Sequence, residues 1–213
     1  MTDREKRPQL SLPVADDTAL KRILSTIRNA PARVYAPSDD SLLMIDAIAR
    51  LPLSGRSVLD MGTGSGILGL YCAMRGAKVT VSDIDEAAVE EADHAAEALG
   101  LRITSRLSDL FSNIPDRFDL ILFNPPYLPS LGVDDRSVDG GPSGTMLADR
   151  FLEELPSHLG LRAEALLLLS SVNDPASVQL RHRKLEFSTV ARKSFFFEEL
   201  QVLRVRLGNE LTV

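Results

Sequence analysis

The chain has 213 residues, of which 44% are hydrophobic and 25% charged, and its formal net charge at pH 7 is −6. These values exclude a wholly disordered chain, and the acidic balance disfavours a protein that coats nucleic acid non-specifically. The longest purely apolar run, Ala165–Leu169, is too short to span a bilayer, and the single cysteine, Cys72, excludes an intramolecular disulfide and suits the reducing cytoplasm.

The N-terminal part of the chain predicts a tail followed by two amphipathic helices. The segment Met1–Arg7 mixes positive and negative charges and leads into no apolar core, so we expect no signal peptide. Apolar residues at helical spacing place one helix at Asp16–Arg28 and a second at Ser38–Arg50. We expect residues 1–30 to form a tail and helix ahead of one domain, residues 31–213.

From Ser57 onward, predicted strands alternate with predicted helices. The strands are Ser57–Asp60, Lys78–Ser82, Leu101–Leu107, Phe118–Phe123, Glu164–Ser170, Phe187–Ala191 and Leu200–Leu207. The helices between them are Ile67–Met74, Glu86–Leu99, Thr145–Leu159 and Pro175–Lys184. This alternation predicts an α/β fold, with a mostly parallel sheet and helices on both faces. No helix separates the last two strands, so they should pair antiparallel at the sheet edge.

Three glycines at alternate positions, Gly62, Gly64 and Gly66, join the first of these strands to a helix. The dinucleotide-binding fingerprint would place its third glycine at position 67, which is Ile67. Asp60 closes the strand just before the glycines, where it would repel a pyrophosphate and attract a cation. The turn therefore favours S-adenosylmethionine, which carries a sulfonium and an ammonium. A simple packing turn is the alternative.

Two further acids follow the next two strands. Asp83 lies about 20 residues beyond the glycines, where a carboxylate can accept hydrogen bonds from both ribose hydroxyls. Asp109 can accept from the adenine amine, while the backbone N–H of Leu110 can donate to the ring. Each acid alone would be a solvated loop residue, and Asp85, the rival for the ribose, suits a helix N-cap. Their common placement at strand ends favours a cofactor site.

The tetrapeptide Asn124-Pro125-Pro126-Tyr127 follows the fourth strand directly. Proline has no N–H, so this segment offers two rigid acceptors, the Asn124 side-chain oxygen and the Pro125 carbonyl. Two such acceptors suit a planar NH₂ group, whose nitrogen could then be aimed at a methyl donor. Tyr127 could stack on that group and exclude water. A proline-kinked loop is the structural alternative.

Together these motifs resemble the class I S-adenosylmethionine-dependent methyltransferases that act on exocyclic or amide nitrogen. More narrowly, the chain resembles the HemK-type release-factor glutamine methyltransferases, in particular their short single-domain branch. Four further segments carry this resemblance, which covers roughly residues 33–207. They are Val34–Ser41, Asp139–Gly144, Asp149–Phe151 and Glu198–Val202.

The resemblance implies a Rossmann-like, seven-stranded sheet with the last strand reversed, and a methyltransferase domain over residues 31–213. It implies methylation of a glutamine side chain in the GGQ loop of a translation release factor, with S-adenosylhomocysteine as the second product. Asn124, Pro125 and Tyr127 would hold the amide. No metal is expected in the site. The cofactor-binding residues would be Tyr35, Asp40, Ser41, Asp60, Gly62, Thr63, Gly64, Asp83, Ile84, Asp109, Leu110 and Asn124.

The chain departs from the family pattern at Ala36, Asp39 and Ser41, where the family more often has an acid, a glutamate and a threonine. The longer HemK branch has an N-terminal helical domain, and since only about 30 residues precede the shared part, we expect that domain to be missing here. In the archaeal and eukaryotic branch, a small zinc-binding activator subunit covers an apolar edge, so such a partner is a further expectation.

Other substrates remain open alternatives. An exocyclic amine on ribosomal or transfer RNA would need a phosphate-binding surface, for which a basic cluster is the candidate. This cluster comprises Arg181, Arg183, Lys184, Arg192 and Lys193. A small metabolite is another alternative, and a non-catalytic cofactor-binding subunit is a fourth, which the intact tetrapeptide argues against. Phe195–Phe197 is expected to be partly buried, with its exposed part contacting a partner or substrate.

Overall fold

A computed structural model of the protein describes residues 18–29, 37–126 and 144–208. Its helices are α1 (Thr18–Asn29), α2 (Asp39–Ala49), α3 (Ile67–Met74), α4 (Glu86–Leu99), α5 (Met146–His158) and α6 (Pro175–Arg181). Its strands are β1 (Ser57–Met61), β2 (Lys78–Asp83), β3 (Ile103–Leu107), β4 (Phe118–Phe123), β5 (Leu159–Ser170), β6 (Leu185–Ser194) and β7 (Glu199–Leu207).

The strands form one seven-stranded sheet in the order β3-β2-β1-β4-β5-β7-β6. Strands β1 to β5 pair in parallel, whereas β7 runs antiparallel to both β5 and β6. The expected mostly parallel sheet, with a reversed last strand and an antiparallel final pair, is confirmed. The near-continuous apolar runs of β4 and β5 are buried because helices cover both faces of the sheet.

Two apolar cores lie on the two faces of the sheet. Helices α1 to α4 cover one face, where Tyr71 of α3 is fully buried, and α5 covers the other, where Phe151 is fully buried. Leu20 and Ile23 of α1 belong to the first core, and α1 packs against α3 and α4. Helix α1 therefore shares its core with the sheet. The expected boundary between the N-terminal segment and the domain, at residues 30–31, lies within residues 30–36, which are outside the described residues.

Local sequence signals set both ends of α4. The Asp85 carboxylate caps the start of α4 by accepting from the Ala87 N–H at 2.9 Å, whereas Ser38 occupies the N-cap position of α2 without a side-chain cap hydrogen bond. Gly100 ends α4 with a left-handed backbone at φ +70°. None of the described helices is long and apolar enough to cross a membrane.

The amino-end edge of the sheet is held by ion pairs around the buried carboxylate of Glu164. Its oxygens lie 3.0 Å from Arg204 Nε, 2.9 Å from Arg206 Nη2 and 3.5 Å from Arg56 Nη1. Three guanidinium groups around one carboxylate compensate the cost of burying it. These side chains tie β5 to β7 and to the residue before β1, at the edge opposite the one where the glycine turn lies.

Strand β6 is a sheet edge, since β7 is its partner on one side and no described strand pairs with the other side. Its pairing with β7 shifts register between Thr189 and Ala191, which marks a β-bulge. Beyond the bulge, Arg192 lies 3.7 Å from Glu199, and Lys193 lies 2.9 Å from Asp39 at the start of α2.

Candidate active site

The ends of the first four strands lie level with one another at the carboxyl edge of the sheet. Met61 of β1 pairs with Ser82 of β2 and with Phe123 of β4, and Asp83 pairs with Leu107 of β3. Strand order reverses between β1 and β4, so a crevice opens outside their carboxyl ends. The register therefore brings the glycine turn, Asp83 and Asn124 to one place, as the sequence predicted.

The glycine turn needs glycine at all three positions, because Gly62, Gly64 and Gly66 have φ values of +62°, +50° and +78°. A Cβ on Gly66 would lie 3.1 Å from Ala92 Cβ, so this glycine lets α4 approach the turn. A Cβ on Gly64 would meet nothing within 4 Å. The middle of the turn therefore faces open space beside the crevice.

Asp60 lies beneath this turn and is only 1% exposed. Its Oδ2 accepts from Thr63 Oγ1 at 2.7 Å and from the Gly69 N–H at 2.8 Å. Burial raises the pKa of this carboxyl to about 7, against the lowering effect of these two hydrogen bonds. Asp60 and Thr63 were predicted among the cofactor-binding residues, and in the structure their side chains hold the turn onto α3.

Gly69 is a residue that the sequence interpretation missed. A Cβ there would lie 2.8 Å from Val81 Cγ1 and 3.1 Å from Asp60 Oδ2, so only glycine lets α3 sit this close to β1 and β2. A glycine inside a predicted helix was the available signal, because such a residue costs helix stability unless close packing requires it.

Asp83 connects the glycine turn to the end of β2. Its Oδ2 accepts from the Gly64 N–H at 2.9 Å, and its Oδ1 accepts from the Asp85 N–H at 3.0 Å. Partial burial raises the pKa of the Asp83 carboxyl, although these backbone hydrogen bonds oppose the shift. Ile84 and Leu107, each 49% exposed, flank it with apolar surface.

A tight turn follows β3, and Ser108 organises it. Ser108 Oγ donates to the Leu110 carbonyl at 2.7 Å and accepts from the Asn113 N–H at 3.0 Å. Leu110 has a φ of +46°, a costly backbone conformation for a side chain with a Cβ. Asp109 is half-exposed and lies 3.1 Å from Arg150 of α5. Ser108 and Arg150 were not predicted as site residues.

Asn124 follows β4 at the switch point. Its Oδ1 is buried, and no hydrogen-bond donor reaches that atom from the part of the chain that the structure describes. A buried amide oxygen without a donor is costly unless something else supplies one. Pro125 beside it is buried as well, and Tyr127 lies outside the described residues.

The other predicted cofactor contacts are in and before α2. Asp40 and Ser41 are buried, and Asp40 Oδ1 accepts from the Ser41 N–H at 2.6 Å. Across residues 18–29, 37–126 and 144–208, no hydrogen bond joins either side chain to the glycine turn. Tyr35 lies outside the described residues.

This set of groups fits a cationic adenosine derivative. The open space at Gly64 admits a ligand, the Asp83 oxygens retain lone pairs for hydroxyl donors, and Asp60 and Asp83 set a negative potential. Ile84 and Leu107 offer apolar surface to a planar ring. Within the described ranges, no three His, Cys, Asp or Glu side chains converge as they would around a metal ion.

A pair of alanine variants separates the two uses of the glycines. Gly64→Ala is expected to weaken S-adenosylmethionine binding about tenfold or more, because the added methyl group enters the open space that the cofactor would use. The positive φ of Gly64 adds a backbone strain of about 1–2 kcal/mol to the folded variant. Gly66→Ala carries the same strain plus a clash with Ala92 and should lower the melting temperature further. Calorimetric titration and thermal unfolding measure both. Unchanged cofactor affinity in the Gly64 variant would contradict this placement.

Comparison with known proteins agrees with the site. The model of the methyltransferase small domain matches residues 38–139. A Methanocaldococcus jannaschii protein, named as a protein N5-glutamine methyltransferase, is 36% identical over 180 residues, which cover 80% of this chain and 90% of that one.

Two solved structures share the fold and add chemical context. The E. cuniculi Mtq2–Trm112 complex, which methylates the translation termination factor eRF1, has a TM-score of 0.68 at 25% identity, and the match covers 82% of this chain and 98% of that one. The T. thermophilus 16S rRNA N2 G1207 methyltransferase RsmC, in complex with AdoMet and guanosine, has a TM-score of 0.64 at 26% identity. That match covers 82% of this chain and 45% of RsmC.

These similarities, together with the glycine turn and the position of Asn124 at the switch point, settle the class of enzyme. The protein is an S-adenosylmethionine-dependent methyltransferase with the class I fold. Within that class, the chain belongs to the HemK-type family of protein glutamine N-methyltransferases.

Proposed function

We propose that this enzyme methylates the side-chain amide nitrogen of a glutamine in the GGQ loop of a peptide chain release factor. The observation that carries the proposal is the buried Asn124 Oδ1, which no donor from the described residues satisfies. It lies at the end of β4, level with the glycine turn. A primary amide has two N–H groups, and one of them can supply the missing hydrogen bond.

Asn124 and Pro125 would activate the amide by accepting its hydrogens. An amide nitrogen is a poor nucleophile because its lone pair is delocalised into the carbonyl group. Hydrogen bonds from its N–H groups to Asn124 Oδ1 and the Pro125 carbonyl would fix its orientation and favour the positive charge that develops on it. When bound, S-adenosylmethionine supplies an electrophilic methyl group and is released as S-adenosylhomocysteine.

The residues around the crevice would hold the cofactor in distinct ways. Asp83 would accept from the ribose hydroxyls while keeping its bonds to the Gly64 and Asp85 N–H groups. Asp109 would accept from the adenine amine, and Leu110 would present its N–H to the ring. Asp60 would act through the turn by its charge, without a direct contact. Tyr35, Asp40, Ser41 and Tyr127 remain predictions.

A protein substrate is better supported than RNA. The glutamine methyltransferase and the eRF1-methylating enzyme match this chain over 90% and 98% of their own lengths, whereas RsmC matches over 45%. In the basic cluster proposed for phosphate, Arg181 lies 2.8 Å from Asp149, and Lys193 lies 2.9 Å from Asp39. Charges engaged with carboxylates are less available to a nucleic acid backbone.

Two further parts of the proposal concern the surroundings of the enzyme. The complex of Mtq2 with Trm112 supports a small activator subunit for this chain, which we propose to be zinc-binding as in the family it resembles. A release factor acts on ribosomes, so we propose that the enzyme works in the cytoplasm.

A labelled-methyl transfer assay tests the proposed function. The purified chain, with and without a small zinc-binding subunit, is offered release factor, bulk RNA and a metabolite extract side by side. We expect label on the release factor, and on the glutamine of its GGQ loop when the product is mapped by mass spectrometry. Label on RNA alone would refute the proposal, and a release factor with that glutamine changed to alanine should accept none.

A further inference from the structure

We infer that the tip of the β6–β7 hairpin, Phe195–Phe197, is a docking contact for the body of the protein substrate, outside the pocket that receives the glutamine. The inference rests on the proposed function, and it assigns a second, separate contact to the same substrate. The methyl-transfer site does not use these rings.

The exposure of the tip is unusual for aromatic side chains. Phe195 is 38% exposed, whereas Phe196 and Phe197 are 92% and 89% exposed, more than the expected partly buried run. The rings of Phe196 and Phe197 meet edge to face, with centroids 4.6 Å apart, so they form one apolar surface. Two adjacent, almost fully exposed phenylalanines leave apolar area in water, which is typical of an interaction site.

Hydrogen bonds within the turn and to the end of β5 hold the backbone of the tip in place beneath the exposed rings. The Phe195 N–H donates to the Glu198 carbonyl at 2.7 Å and closes the turn. Ser170 Oγ at the end of β5 donates to Glu198 Oε2 at 2.8 Å, and the Glu199 N–H donates to Ser171 Oγ at 3.0 Å. A fixed apolar surface loses less conformational entropy on binding than a mobile one.

Strand register places the tip on the rim of the active-site crevice. Leu203 of β7 pairs with Leu167 of β5, which pairs with Phe123, the residue before Asn124. Glu199, where β7 begins, is four residues closer to the carboxyl edge, or about 13 Å at roughly 3.3 Å per residue. It is two strands to the side, or about 10 Å at roughly 4.8 Å per strand. The phenylalanines stand beyond it.

This separation determines which substrate can use the tip. A metabolite or a single base held at Asn124 would be too small to reach rings more than about 13 Å above it. A folded protein that presents its glutamine on a protruding loop brings further surface to the rim when the loop enters the crevice. The tip therefore fits the apolar surface of that protein beside its glutamine loop.

The charges around the tip also favour protein over nucleic acid. The two cations nearest the tip on β6 are engaged with acids, since Arg192 lies 3.7 Å from Glu199 and Lys193 lies 2.9 Å from Asp39. Lys193 Nζ also lies 5.4 Å from the centre of the Phe195 ring. A site for an RNA backbone would need cations directed outward, and exposed phenylalanines with paired cations suit an apolar protein surface.

The test compares a double variant, F196S/F197S, with the wild-type chain on two substrates, a full-length release factor and a short peptide of its GGQ loop. For the full-length factor, we expect KM to rise about tenfold or more while kcat stays within about twofold. For the peptide, which is too short to reach the tip, kcat/KM should stay within about twofold of wild type. The affinity for S-adenosylmethionine should not change.

Leu161→Ser is the matched control, because Leu161 is 89% exposed and lies at the amino-end edge of the sheet, away from the crevice. It should leave KM unchanged for both substrates. Equal losses of the double variant on factor and peptide would overturn the inference, since the tip would then serve the fold or an activator. An unchanged KM for the full-length factor would also overturn it. A wild-type chain that methylates neither substrate, with or without the small zinc-binding subunit, refutes the proposed function, and this inference with it.

Discussion

An Asn124→Ala variant is expected to lose about 100-fold or more in kcat, while its dissociation constant for S-adenosylmethionine stays within about threefold of wild type. The Asn124 Oδ1 is buried at the crevice and receives no donor from the described residues, so its proposed partner is the substrate amide. Removing it takes away a contact that strengthens as charge develops on the nitrogen. Methyl transfer kinetics and calorimetric titration of the cofactor measure the two effects separately.

Asn113→Ala is the matched control for this variant. Asn113 lies beyond strand β3, which β2 and β1 separate from β4, and its Nδ2 donates to the Leu107 carbonyl at 2.9 Å, away from the switch point. We expect its kcat to stay within about threefold of wild type. If Asn124→Ala weakens cofactor binding as much as it slows transfer, Asn124 has been assigned to the wrong ligand.

An Asp60→Asn variant is expected to gain stability at pH 8 and to lose cofactor affinity. Burial raises the pKa of the Asp60 carboxyl from 3.8 to about 7, so between these values the folded state binds the proton that the unfolded state has released. Wild-type stability therefore falls as pH rises from about 4 to about 7, by up to about 4 kcal/mol. Asparagine does not ionise and avoids this loss.

The same charge favours the cationic cofactor. Wild-type affinity for S-adenosylmethionine should rise from pH 6 to pH 8 as Asp60 ionises, and the variant should bind more weakly with a flatter pH dependence. Urea unfolding and cofactor titration at several pH values measure both effects. Asp116→Asn, which removes an exposed carboxylate, should leave both pH profiles unchanged. If the variant is no more stable than wild type at pH 8, burial does not destabilise the ionised Asp60 carboxylate, and this prediction is wrong.

Most of the fold could be predicted because local and global signals agree. Helices α3 and α4 and strand β4 begin and end where the pattern of apolar residues and caps placed them. Strand β5 begins at Leu159, five residues earlier than expected, because Leu159 pairs with Phe118 of β4 ahead of an irregular segment in which Arg162 has a φ of +62°. Helix α6 ends at Arg181, before the predicted Lys184.

The site was predictable in outline, because strand ends can be placed from sequence and parallel strands share an edge. The hydrogen-bond and ion-pair partners of the site's side chains could not be predicted from the sequence. Asp60 accepts from Gly69, and Asp109 pairs with Arg150, across distances that only the packed helices define. The sequence shows that Asp60 and Gly69 are present, but the close approach of α3 to β1 that joins them depends on the packing of the whole core.

The exposure of Phe195–Phe197 also depends on tertiary structure and could not be predicted from the local sequence. Three consecutive aromatic residues are usually buried, and the pattern predicted partial burial. The hairpin instead turns at Phe195–Glu198, beyond the last residue of β5, so no strand or helix of the described ranges is left to cover the rings. The exposure of these rings depends on the relative lengths of β5 and β7, which cannot be inferred from the amino-acid composition of Phe195–Phe197.

The open side of β6 has a consequence for how copies of this enzyme behave together. Strand β6 has 10 residues, and its side away from β7, which no described strand covers, is a template on which another chain could form a sheet. Here the bulge between Thr189 and Ala191 twists that strand, which disturbs the regular edge that another chain would need. Two copies approaching through this strand would meet a twisted edge, so the polymerisation that open sheet edges invite is opposed by the strand itself.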